Sequence, residues 1–158
     1  MTDDIFQLAR LGDVAALEVA KESGVDLNIT NKYGENIIHM ALAWNKPEVA
    51  KFAIRHGVDV NQQSKKRRSP LHVASEIKQL DICILLIDEG ADLNVLDELG
   101  RQPLWYACWL PKGDYRIVEL LLSHGANPNH FDTNGKSPLS FAQERQIQKL
   151  VDILSQNE

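Results

Sequence analysis

Long apolar runs are missing from this chain. The longest extends from Ile82 to Ile87, far short of the ~18 to 20 residues that a membrane-spanning helix needs, so no membrane span is expected. Cysteine is scarce. Cys83 and Cys108 lie inside helix-forming segments, away from any Cys-x-x-Cys or Cys/His cluster, and read as reduced, buried thiols with no metal site. Aromatic residues make up only 6% of the chain while hydrophobic residues reach 44%, as expected of helices packed through Leu, Ile, Val and Ala. Positive charge is short as well: 17 Lys and Arg against 22 Asp and Glu leave a net charge of −5. A net anion is a poor general binder of nucleic acid. The start, Met1-Thr2-Asp3-Asp4, is acidic where a secretory leader would be basic, which predicts a cytoplasmic protein.

Catalytic patterns are absent too. Asn134-Gly135-Lys136-Ser137 looks like the end of a phosphate-binding loop, but the earlier glycine of G-x-x-x-x-G-K-S would fall at His130. None of His39, His56, His72, His124 and His130 forms the i, i+4 pair with a glutamate of a zinc hydrolase helix, and no serine sits in a Gly-x-Ser-x-Gly elbow. Asn28-Ile29-Thr30 fits a glycosylation sequon and reads as a turn in a chain that is not secreted. The expectation is a protein without catalytic residues, cofactor, metal or small-molecule substrate.

What the chain does have is repetition. Asn36-Ile37-Ile38-His39-Met40-Ala41, Ser69-Pro70-Leu71-His72-Val73-Ala74, Gln102-Pro103-Leu104-Trp105-Tyr106-Ala107 and Ser137-Pro138-Leu139-Ser140-Phe141-Ala142 start 33, 33 and 35 residues apart. A Gly-x-Asp-x-Asn segment keeps the same beat from Gly24, Gly57, Gly90 and, as Gly-x-Asn-x-Asn, from Gly125. Ser or Gln before Pro marks the start of a first helix. A second helix follows a polar break, with apolar ladders Val49-Phe52-Ile54, Ile82-Leu85-Leu86, Ile117-Leu120-Leu121 and Leu150-Ile153-Leu154. The glycine then closes that helix, and Asp and Asn shape the outgoing turn.

A T-P-L-H-x-A-like segment at a 33-residue period resembles the ankyrin repeat, and the resemblance covers nearly the whole chain. It implies an all-α solenoid of about five helix-turn-helix repeats joined by β-turn or hairpin loops. A single domain spans 1–158, with repeats at approximately 1–30, 31–63, 64–96, 97–131 and 132–158 and the two ends acting as caps. In that family the motif histidine bridges turns and repeats, a role that falls here to His39 and His72, with Trp105 and Ser140 in its place elsewhere.

The resemblance further implies a protein partner docked on a concave face, at the second, third and fifth turn residues and two positions near the end of the first helix. These positions hold Lys32, Tyr33, Glu35, Ala43 and Trp44, then Lys65, Lys66, Arg68, Glu76 and Ile77, then Glu98, Leu99, Arg101, Trp109 and Leu110. Two departures from the pattern stand out. The third tip, Ser64-Lys65-Lys66-Arg67-Arg68, trades glycine for cations, and the fourth repeat gains two residues around Pro111-Lys112. The tip admits three readings: a solvated turn, a contact for an acidic protein surface, or a nuclear-localisation or nucleic-acid patch. The functional expectation is a non-enzymatic module, monomeric on its own, that inhibits or sequesters one protein. A bacterial immunity protein covering its toxin is a specific version, and a nucleic-acid or nuclear adaptor using 65–68 is the alternative from another class.

Overall fold

The computed structural model describes residues 2–109 and 113–156. Ten helices, with no strand among the described residues, form five antiparallel pairs. They are α1 (Thr2–Leu11) with α2 (Val14–Glu22), α3 (Ile37–Ala43) with α4 (Pro47–Arg55), α5 (Pro70–Glu76) with α6 (Leu80–Asp88), α7 (Pro103–Cys108) with α8 (Arg116–Ser123), and α9 (Pro138–Glu144) with α10 (Gln148–Ser155). First helices pack on first helices from α1 through α9, and second helices pack on second helices from α2 through α8. Among the described residues no helix is long and apolar enough to cross a membrane.

The first helices approach closely because each presents alanine at the same place. Ala41, Ala74, Ala107 and Ala142 are all buried, each three residues after a buried Ile38, Leu71, Leu104 or Leu139. Proline at the first helical position of α5, α7 and α9 forgoes an N–H that would be orphaned anyway. Second helices contribute Val49, Ala50, Ala53 and Ile54, then Ile82, Cys83 and Leu86, then Ile117, Val118, Leu121 and Leu122. Leu85 and Leu120, expected in this ladder, are only half-buried. Each lies one helical step off the inward face.

Polar groups tie the pairs together. His39 Nε2 lies 3.0 Å from the carbonyl of Arg68, and His72 Nε2 lies 3.0 Å from that of Arg101. A carbonyl only accepts, so Nε2 carries the proton and Nδ1 is left to accept from the N-cap amide, as the Ser69 N–H does toward His72 at 3.1 Å. Trp105 replaces the histidine in the fourth repeat, where His130 Nε2, 3.0 Å from the Gly100 carbonyl, ties the outgoing turn back to the tip of its own repeat. Ser140 closes its own cap instead, accepting from the Ser137 N–H at 2.8 Å. The asparagines of the Gly-x-Asp-x-Asn segments do more than shape turns. Asn28 donates to the Gly57 carbonyl (3.1 Å) and accepts from the Asp59 N–H (2.8 Å), and Asn61 does the same with Gly90 and Asp92 (3.0 and 2.8 Å). Lys78 reaches forward to the end of α7 and donates to the carbonyls of Tyr106 (3.1 Å), which also accepts the Trp109 N–H, and Ala107 (2.6 Å).

The Leu86 side chain is fully buried, so Leu86→Ala should cost about 2 to 5 kcal/mol in denaturant melts. Leu85→Ala should cost less than about 2 kcal/mol; the reverse order would show that the helix phase is misassigned.

Burial holds the His72 imidazole down at about 4, against a weaker opposing pull from its bond to the Arg101 carbonyl, and burial lowers His39 in the same way. The unfolded chain takes up these protons near pH 6.5, before the folded chain does. Stability is therefore fully present above pH 6.5 and is lost as pH falls toward 4, by roughly 3 kcal/mol for His72 alone. Urea melts at pH 7.5 and 4.5 should differ by that order, and a difference under about 0.5 kcal/mol would mean the ring is not held neutral.

Candidate functional site

The turn tips are built alike. In each, the first residue's N–H donates to the fifth residue's carbonyl, at 2.9 Å for Asn31 to Glu35 and Ser64 to Arg68, 3.0 Å for Asp97 to Arg101 and 2.8 Å for Asp132 to Lys136. In three tips a side-chain oxygen accepts two further N–H groups: Asn31 from Tyr33 and Glu35, Asp97 from Leu99 and Arg101, Asp132 from Asn134 and Lys136. Neighbouring tips also bond to each other, Lys65 N–H to the Tyr33 carbonyl (2.8 Å), Glu98 to Lys66 (3.1 Å) and Thr133 to Leu99 (2.9 Å). With much of the backbone bonding engaged in this way, the projecting side chains form a comb of fixed spacing.

Five apolar side chains expected on the partner face are exposed: Tyr33, Trp44, Ile77, Leu99 and Trp109. Leu11 is exposed too and holds the same repeat position as Trp44 and Ile77, so the ends of α1, α3 and α5 carry an apolar stripe at a strict 33-residue step. Trp44 is flanked by Arg10, whose guanidinium lies 5.2 Å from its ring centroid, and Lys32 lies 5.1 Å from that of Tyr33. Trp109 stacks on Phe141 with centroids 5.4 Å apart and planes at 24°, so one face of its indole is engaged and the residue remains 41% exposed. Ala43, Glu98, Lys65 and Lys66 are exposed. Leu110, with the Pro111-Lys112 insertion, lies outside the described residues.

The charged positions divide into free and engaged. Arg68 is not a free tip cation: it pairs with Glu76 and lies 4.6 Å over the Tyr106 ring. Arg101 repeats that arrangement, its Nε 3.0 Å from Asp132 and its guanidinium 4.6 Å over Trp105. Glu35 is half-buried and accepts from Asn31 at 3.0 Å. The exposed cations of the third tip are therefore Lys65, Lys66 and Arg67.

Two grooves open on this side. One of about 320 Å³ lies between the second and third repeats, lined by Tyr33, Glu35, Ser64, Lys65, Lys66 and Arg68 among others. The other, about 250 Å³, is walled by Glu76, Arg101, Trp105, Tyr106 and Trp109. Tyr106, Phe141 and Arg10 join this surface without having been expected there, as does Arg145, whose guanidinium lies 5.7 Å from the Phe141 ring centroid. The available signal was that Tyr106 and Phe141 occupy one repeat position, 35 residues apart. Tyr106 donates its hydroxyl to Asp97 at 2.5 Å, and burial, aided by that bond, pushes its pKa up to about 12. Cys83 and Cys108, away from the grooves, are pushed by burial to about 12 and stay as unreactive thiols.

A family model described as ankyrin repeats, in three copies, matches residues 5–97 and 78–158. A protein of Escherichia coli (strain K12) named as an ankyrin repeat protein, YahD, is 47% identical over 38 residues, which cover 24% of this chain and 19% of that relative. The match thus spans about a fifth of the relative's length.

The third tip departs from its neighbours in conformation as well as charge. The position held by Gly34, Gly100 and Gly135 at φ 73°, 69° and 71° is Arg67 here, at φ 57°. A side chain there costs of order 1 kcal/mol. Ser64 also lacks the carboxamide or carboxylate whose oxygen staples the other tips, and Gln63 braces this turn differently, donating its side-chain amide to the carbonyls of Arg67 and Leu96. Arg67→Gly should therefore stabilise the fold by about 1 kcal/mol, read as a higher denaturant midpoint at unchanged slope; a loss of stability would show that the cation itself supports the fold.

Proposed function

The chain belongs to the ankyrin-repeat family, and from the general use of such repeats as protein-interaction modules we propose that it binds one protein partner, inhibiting or sequestering it by occlusion. The five repeats, at approximately 1–30, 31–63, 64–96, 97–131 and 132–158, act as one unit, a cytoplasmic monomer that works without catalysis or cofactor. Docking uses the hairpin and first-helix side. Tyr33, Trp44, Ile77, Leu99 and Trp109 supply apolar contact, together with Leu110, while Lys65 and Lys66 supply free charge and Lys32 a cation beside the Tyr33 ring. Glu35, Arg68, Glu76 and Arg101 set the walls of the grooves.

The observation that supports this reading is the exposure of large side chains in register on this side, with Tyr33 at 55% and Trp44 at 50%. Tyr, Trp and Arg dominate binding hot spots because they bury much area and keep a polar handle. Folding alone offers no reason to leave them in water.

Affinity purification with the tagged full-length chain identifies the partner, and the same capture then tests the face. Trp109→Ala should weaken capture by about 30-fold or more, the 2 kcal/mol typical of a shielded aromatic anchor, while the circular dichroism spectrum stays helical. Tyr33→Ala should lose less. Glu119→Ala, on the exposed side of α8, should bind normally; equal losses from Trp109→Ala and Glu119→Ala, or normal capture by the Trp109 variant, would move the interface elsewhere.

A further inference from the structure

The two grooves share a wall. Arg68 lines the first with Tyr33, Lys65 and Lys66, while its two partners, Glu76 and Tyr106, line the second with Arg101, Trp105 and Trp109. The acid in each groove is already engaged, Glu35 by Asn31 and Glu76 by Arg68. A cationic guest would find no unengaged carboxylate among these lining residues.

Three observations fix the sign of the guest. Arg67 keeps a cation at a left-handed position where three sister tips use glycine, so charge is retained there at the expense of backbone ease. The guanidinium of Arg68 in the shared wall has one carboxylate, Glu76, against it, and its Nε is buried without a hydrogen-bond partner, so the wall keeps more donor capacity than its own acids use. Charge is also segregated by layer: the second-helix segments 12–28, 46–61, 79–94, 113–129 and 147–156 hold 13 of the 22 acids but only 6 of the 17 Lys and Arg. The hairpin and first-helix segments are left with a cationic excess in a chain of net charge −5.

Building on the docking face proposed above, we infer that its occupant is an extended acidic segment of the partner protein. One or two carboxylates sit against Lys65, Lys66 and Arg67, and an aromatic or large aliphatic side chain packs against Trp109 and Tyr106. Helices in contact lie about 10 Å apart and an extended chain rises ~3.3 Å per residue, so a diagonal path from tip to second groove takes roughly three to five residues. A long phosphate polymer fits less well. It needs a continuous basic track, and the tip beyond this cluster carries the exposed Glu98.

A displayed library of random dodecapeptides selected on the immobilised full-length chain tests this. Selected peptides should be enriched at least twofold in Asp and Glu over the unselected pool, with Trp, Phe or Leu three to five positions away. Lys65→Glu with Lys66→Glu should invert the preference toward Lys and Arg, and Trp109→Ala should keep the acids and lose the aromatic, with both variants checked for native circular dichroism. Selection without acidic enrichment, or enrichment unchanged by the double charge reversal, overturns the inference. So does tighter binding of a twelve-nucleotide oligothymidylate than of the best selected peptide, which would assign the tip to phosphate. Capture of the native partner that is lost in Trp109→Ala, together with no acidic enrichment, would leave the docking face standing and remove only the acidic segment.

Discussion

Each helix pair in this chain carries apolar side chains on both flanks and can cover neither alone. Leu71 and Leu104 are fully buried because α5 and α7 lie side by side with α3 and α9 beyond them. Stability therefore resides in the interfaces between repeats. The same contacts bury polar backbone, and every such group needs a partner. His39 and His72 answer that need at one end of the first helices, Asn28 and Asn61 at the outgoing turns, and Lys78 at the shortened end of α7. Buried imidazoles as bridging donors make the array sensitive to acid, since a protonated ring at those sites is a charge out of water.

Interface bonding also explains why the tips vary so freely. Their backbone groups are held from within by the i to i+4 closure and from the side by the neighbouring tip, so the second and third side chains carry little structural duty. Lys65, Lys66, Glu98 and Leu99 change sign and size from one repeat to the next on an unchanged backbone path. The exception marks its own importance. At Arg67 the substitution falls on a residue whose conformation the path does constrain, and Gln63 braces the turn from outside by donating to the Arg67 carbonyl.

The architecture was legible in the sequence because it is local: a capping residue, a proline and a glycine at a fixed period state where helices start and stop. The identity of the exposed positions was legible too, since register follows from the repeat. Pairings across repeats were not. Arg68 and Arg101 occupy the expected positions, yet whether they point to solvent depends on Tyr106, Glu76 and Asp132, and periodicity is silent about such partners. The second-helix ladders held except at Leu85 and Leu120, and for a related reason: runs such as Ile82 to Ile87 are apolar all round, and only the packing of α4, α6 and α8 decides that Cys83 turns inward and Leu85 toward the edge.

Net charge is a poor guide to what such a layered molecule attracts. A helix with its side chains is about 10 Å across, comparable to the ~8 Å screening length at physiological salt. An acidic segment approaching Lys65, Lys66 and Arg67 is thus largely shielded from the acids on the far side of the second helices, and the local field decides the encounter. Lowering the salt lengthens that reach and brings the −5 of the whole chain into play. The segregation of charge into layers is therefore what would let an acidic protein select an acidic partner, and the selection would hold best at the ionic strength where the two layers do not see each other.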